Sequence, residues 1–136
     1  MLLSGCGGEV EDTLPGQPIK HRREAFKEIL RTFEPMGVML RENTYSSDEF
    51  NQLAAALMEI RDTPWAYFTD DSNQPPSKAK DALWANRADF DAHRLAFMDS
   101  TDALFEAAKT ENPETIHTAY DKVGETCKSC HKLYRR

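Results

Sequence analysis

Two cysteines and a histidine near the C-terminus stand in the order Cys127-Lys128-Ser129-Cys130-His131. Thiols three residues apart can reach the two vinyl groups on one edge of a porphyrin and form thioethers with them. The histidine directly after the second thiol then swings under the ring and gives a nitrogen to the iron. On a helix Cys127 and His131 lie four residues apart, so all three anchors share one face. The spacing points to covalent attachment of one haem c through Cys127 and Cys130, with His131 as the axial iron ligand. Two other chemistries use paired cysteines. A thioredoxin-like pair expects a preceding strand and a helix N-terminus that lowers the thiol pKa, whereas this pair falls near the end of a helical stretch. A structural zinc site wants a second ligand pair, and His21, His93 and His117 show no ligand-type pairing and read as solvated helix residues.

The elements that must position the motif are helices. The first, from about Ile19 to about Leu40, places Phe26, Ile29, Leu30, Phe33 and Met36 at helical spacing. Pro35 inside it predicts a kink or an end. The second opens at Ser46-Ser47-Asp48-Glu49, a capping-box pattern, carries Phe50, Leu53, Leu57 and Ile60, and closes at Pro64. Thr69 to Pro76 is a loop on composition. The third carries Leu83, Phe90, Phe97 and Leu104 at seven-residue intervals, a seam for a bundle neighbour. The fourth has Asn112 as N-cap and Pro113 at the first helical position. Its stripe is Ile116, Tyr120, Val123, Cys127, Cys130 and Tyr134. No run alternates as a strand would. Four helices with one apolar face each predict an all-α fold, an antiparallel four-helix bundle over residues 19–136. The anchors lie on the seam of the fourth helix, so a haem would supply part of the core.

Composition fits this reading. The 136 residues carry 17 Lys and Arg against 23 Asp and Glu, a net charge of −6, with 40% hydrophobic and 29% charged residues. That is a single globular domain's composition. Nucleic acid is excluded as the main partner, since phosphate binding needs clustered cations. Residues 1–18 read as a tether: Gly7, Gly8, Pro15, Gly16 and Pro18 punctuate it without any hydrophobic period.

The chain resembles the cytochromes c′ from about residue 19 to the end. The resemblance rests on an attachment motif at the C-terminus of a helical bundle, on the ending Cys127 to Arg135, on Lys20-His21-Arg22-Arg23-Glu24-Ala25-Phe26, and on Pro64-Trp65. It implies that Arg22 contacts a haem propionate, that Arg23 lies near the same edge, and that Arg135 sits on the proximal side of the haem. Arginine is the side chain best shaped to hold such carboxylates.

The sixth coordination position decides function. In related low-spin c556-type cytochromes a methionine four residues after the first-helix arginine closes the iron. Here that position is Phe26, which cannot ligate iron, and Met36 and Met39 fall about three turns further along. The expected haem is therefore five-coordinate and high-spin, roofed by Phe26, with an apolar pocket for nitric oxide or carbon monoxide. The alternatives are a low-spin electron carrier with a sixth ligand from elsewhere, and an enzyme reducing nitric oxide or peroxide. Peroxidase chemistry wants a distal acid–base, and Phe26 occupies that place, so a non-enzymatic gas-binding and electron-transfer protein is expected, exchanging electrons with a redox partner protein.

Leu3-Ser4-Gly5-Cys6 resembles the lipobox of bacterial lipoproteins, in which the cysteine carries a lipid anchor, although the basic and long apolar parts of an export signal are missing. Haem c is attached after export, so the expected location is the periplasm, tethered to a membrane if Cys6 is lipidated. The resemblance also implies homodimers through the first two helices in some members.

Overall fold

A computed structural model describes residues 11–136. Among the described residues there are five α-helices: α1 (Pro18–Arg41), α2 (Ser47–Ile60), α3 (Ala82–Ala85), α4 (Arg87–Ala108) and α5 (Pro113–Tyr134). The long ones, α1, α2, α4 and α5, form the antiparallel four-helix bundle. Its pairings are α4 with α5, α1 with α2 and α2 with α4. The main core is built where their stripes meet, from Ile29, Met36, Met39, Phe50, Leu57, Phe97, Leu104, Ile116 and Val123 among others. Among the described residues no helix is long and apolar enough to cross a membrane.

The helix termini follow local chemistry. Asn112 caps α5, its side-chain oxygen accepting from the Glu114 and Thr115 amides, with Pro113 in the first turn. Ser46 stands at the N-cap of α2, but its side chain makes no capping bond, so the expected capping box does not close. That end is exposed and water can satisfy the free amides. Pro35 does not end α1, which runs on to Arg41. It lies on the exposed side, where the Arg31 carbonyl that loses its partner can be hydrated.

Two further departures shape the site. The expected third helix is broken at Asn86, which leaves helical geometry at φ −124°. Its amide and its side-chain Nδ2 both donate to the Ala82 carbonyl, closing α3 before α4 begins. Leu83 still joins the seam and is as buried as Phe90, Phe97 and Leu104. Residues 12–18, read from sequence as the end of a tether, are bound to the bundle. Buried Asp12 accepts from the Leu14 amide through Oδ1 at 3.0 Å, and from Ile19 and Lys20 through Oδ2 at 2.8 and 3.2 Å. It thus serves free donors of the first turn of α1. Cys6 lies outside the described residues.

Candidate functional site

Cys127 and Cys130 lie half-buried on the inner face of α5 and bridge two hydrophobic clusters. Cys127 packs on the main core. Cys130 packs on a smaller one made by Phe68, Leu83, Phe90 and Tyr134. Both are free thiols. Burial raises the pKa of Cys127. It pushes Cys130 up to about 11, with help from Cys127 and Asp89. Both are thus neutral thiols at pH 7, the reverse of the depressed thiol that redox and metal chemistry want. Among the described residues no three His, Cys, Asp or Glu side chains gather as a metal cluster would. His131 sits at the solvent boundary, where partial burial and then Arg135 lower its pKa and favour the neutral imidazole. Arg135 caps α5, its amide bonded to the His131 carbonyl.

Aromatic rings pack together in the clusters that the thiols join. Phe26 stands edge-on to Trp65 at 5.6 Å and to Phe68 at 6.3 Å. Phe68 packs on Phe90 at 5.0 Å, and Phe90 on Tyr134 at 5.6 Å. A chain of ring contacts therefore runs from α1 across the α2–α3 connection to the end of α5. Phe26 packs on both clusters. Met36 and Met39 are buried in the main core.

Arg22 is no solvated surface cation: it is only 4% exposed. Nη1 donates to the Tyr67 carbonyl at 3.1 Å and to Ser72 Oγ at 2.6 Å. Nη2 donates to the Ser72 carbonyl at 3.2 Å and to Ser77 Oγ at 2.7 Å. The guanidinium also lies 4.9 Å from the Phe68 ring centre and 5.7 Å from that of Trp84. A guanidinium has five N–H donors, and these contacts leave the Nε–H for another acceptor. Burial pulls the pKa down to about 10, opposed by Asp12, so the charge persists at neutral pH. Arg23 is half-buried beside it. The loop bends back onto α5: the Lys80 amide donates to the Tyr134 carbonyl and the Arg136 amide to the Lys78 carbonyl, both at 2.7 Å. The N-terminal end of α1, the loop and the C-terminal end of α5 thus meet at one end of the bundle.

Several of these residues escape a one-dimensional reading. Ser72 looks like loop filler, yet together with Ser77 it holds the buried arginine. His93, read as solvated, is instead half-buried: it pairs with Asp89 at 3.4 Å and lies 5.9 Å from the Tyr134 ring. The i,i+4 spacing of Asp89 and His93 was the available signal. His21 stacks on Tyr67 at 5.1 Å, and His117 pairs with Asp121.

The donor set fits a porphyrin held by its edge: two neutral thiols on one helix face, an imidazole next in sequence, and an aromatic bed beside them. Comparison with known proteins agrees. The profile described as cytochrome c′ matches residues 17–135. Cytochrome c prime from Shewanella frigidimarina superposes with a TM-score of 0.86 at 30% identity, covering 93% of this chain and 99% of that one. A nitric oxide complex of a variant cytochrome c prime from Alcaligenes xylosoxidans has a TM-score of 0.85 at 25% identity, with 93% and 99% covered. A carbon-monoxide-bound variant from the same organism gives 0.84 at 25% identity and the same coverage. Motif, bundle and matches together place the chain in the cytochrome c′ family of haem proteins.

Proposed function

We propose that the chain carries one haem c, joined through thioethers to Cys127 and Cys130, with His131 as the only protein ligand to iron. Each thioether forms as a sulfur bonds to one carbon of a vinyl group and the thiol proton passes to the other. Bound there, the haem supplies an iron able to take up a small neutral diatomic, nitric oxide or carbon monoxide. The residues do the selecting. Phe26, Trp65 and Phe68 give the pocket packing and no ionisable group, so nothing acidic or basic is placed for peroxide cleavage. Without a hydrogen-bond donor, bound dioxygen and its negative charge are poorly supported. Arg22 and Arg23 are assigned to the propionate edge, and Arg135 to the proximal side.

The observation that supports this reading is Phe26 itself: its ring packs edge-on to Trp65 and Phe68 and offers no atom that could ligate iron. A visible spectrum of the reduced holoprotein tests it. Broad high-spin bands are expected, and sharp α and β bands would sink the five-coordinate claim. Titration of the ferrous protein with nitric oxide by stopped flow then measures binding directly. Electron exchange is a second activity, favoured by the exposed cations Lys128, Lys132, Arg135 and Arg136 around the end of α5, which suit an acidic redox partner protein. The proposed location is the periplasm. A lipid on Cys6 would add a membrane tether, and mass spectrometry of native mature protein checks it.

A further inference from the structure

Tyr134 ends α5 three residues past His131, and its surroundings go beyond the reading above, on which this inference rests for the identity of the iron ligand. The side chain is 5% exposed. Its phenol donates to Asp89 Oδ2, from the first turn of α4. The same oxygen lies 3.4 Å from His93 Nε2, one turn on. The tyrosine ring stands edge-on to Phe90 at 5.6 Å and 89°, and to His93 at 5.9 Å and 75°. One face of one turn of α4 therefore encloses the ring, while the Tyr134 carbonyl is taken by the Lys80 amide at 2.7 Å. Two independent attachments fix the last turn of α5, one to α4 and one to the loop. Neither is needed to form a thioether.

We infer that Asp89 is a positioning residue for His131. By holding the Tyr134 phenol, with His93 as the carboxylate's second partner, it fixes the helix turn that presents the imidazole. A turn held at both attachments would keep the imidazole in place and restrict its movement with any iron it bound. The Asp89–Tyr134 contact thereby favours release of His131 once nitric oxide is bound, and it sets the ratio of five- to six-coordinate nitrosyl haem.

The test uses ferrous holoprotein under nitric oxide, with that ratio read from the Soret band and from electron paramagnetic resonance. Asp89→Ala and Tyr134→Phe are each expected to lower the five- to six-coordinate ratio by about three- to tenfold, the worth of part of one charge-assisted hydrogen bond. The double variant should go no further, because both changes remove the same contact. Asp89→Asn keeps an acceptor for the phenol and should stay within twofold of the parent. Ratios within twofold of the parent in both disruptive variants, with the helical circular dichroism intact, would overturn the inference. So would an Asp89→Asn protein that behaves like Asp89→Ala, since charge rather than tethering would then be responsible. Should Asp89→Ala fail to fold, Tyr134→Phe carries the test, because it keeps the ring against Phe90. Resonance Raman of the ferrous parent separates the two layers. Loss of an imidazole–iron stretch from the parent spectrum overturns the ligand assignment and this inference together; its presence with unresponsive variants overturns the inference alone.

Discussion

Replacing Ser72 by alanine removes one hydroxyl and tests how the loop over the site is held. Ser72 is 0% exposed. Its Oγ accepts from Arg22 Nη1 at 2.6 Å and donates to the Thr69 carbonyl at 2.7 Å. The two losses are unequal. Thr69 is exposed and its carbonyl also accepts from Trp84 Nε1 at 3.1 Å, so that group stays satisfied. The guanidinium is buried and has no such substitute. A hydrogen bond to a charged group contributes roughly 1.5–3 kcal/mol, so Ser72→Ala is expected to cost about 2 kcal/mol. Arg22→Leu breaks all four loop bonds and strips the cation from Phe68 and Trp84, and should cost at least about 3 kcal/mol, in the range for undoing a buried charged network. The double variant should fall short of the sum by about 1.5 kcal/mol, because the shared bond is lost only once. Guanidinium chloride unfolding of the holoproteins, followed by circular dichroism and tryptophan fluorescence, measures all three. A coupling energy below about 0.5 kcal/mol would refute the reasoning, since unconnected sites add within that margin.

Three further outcomes are expected. Phe26→Met should convert the reduced spectrum towards sharp low-spin bands, by putting a thioether where the ring now excludes one. Asp12→Asn should destabilise the fold by about 1 kcal/mol, as for loss of a helix-terminal cap. Burial opposes the Asp12 charge, but the Leu14, Lys20 and Ile19 amides and Arg22 outweigh it and lower its pKa from 3.8. The stability it contributes is thus complete above about that pH and is lost as pH falls through the lower folded value. Urea curves of parent and variant should accordingly differ at pH 6 and converge under stronger acid. Gly37→Ala should lower stability by about 1–2 kcal/mol despite alanine's better helix propensity. An added Cβ would come within 2.7 Å of Tyr120 Cζ and of Arg41 Nη1. Tyr120 cannot yield freely, since it stacks on Phe33 at 4.2 Å. A thermal melt checks it.

The bundle was legible because each long helix repeats its apolar positions at the helical period, and α5 most of all, with cap, proline, stripe and motif on one segment. What the sequence did not show depends on pairs far apart in it. Arg22 meets Ser72 and Ser77 across 50 and 55 residues, and no local pattern announces a serine that accepts from a buried arginine. Asp12 was hidden differently. Its proline- and glycine-punctuated surroundings resemble a tether, although an aspartate bonding the amide two residues on is a recognised turn device. The capping-box pattern at Ser46 shows the opposite failure: the letters are present and the bonds are not, because an exposed helix end has water as a competitor. His93 lay off the Phe90–Phe97 seam, yet Tyr134 from α5 reaches across to it.

Asp12 and Arg136 emerge at the same end of the molecule as the cysteine pair, because the α1 entry, the loop and the α5 exit are laced together there. A fusion partner joined directly after Arg136 would crowd the end of the bundle at which haem and redox-partner binding are proposed. The turns at the other end, where Asn43 and Glu111 take left-handed backbone geometry, lie a helix length away, about 30 Å for some twenty residues. A dye, an electrode linker or a solid support attached there would leave the chemistry unobstructed.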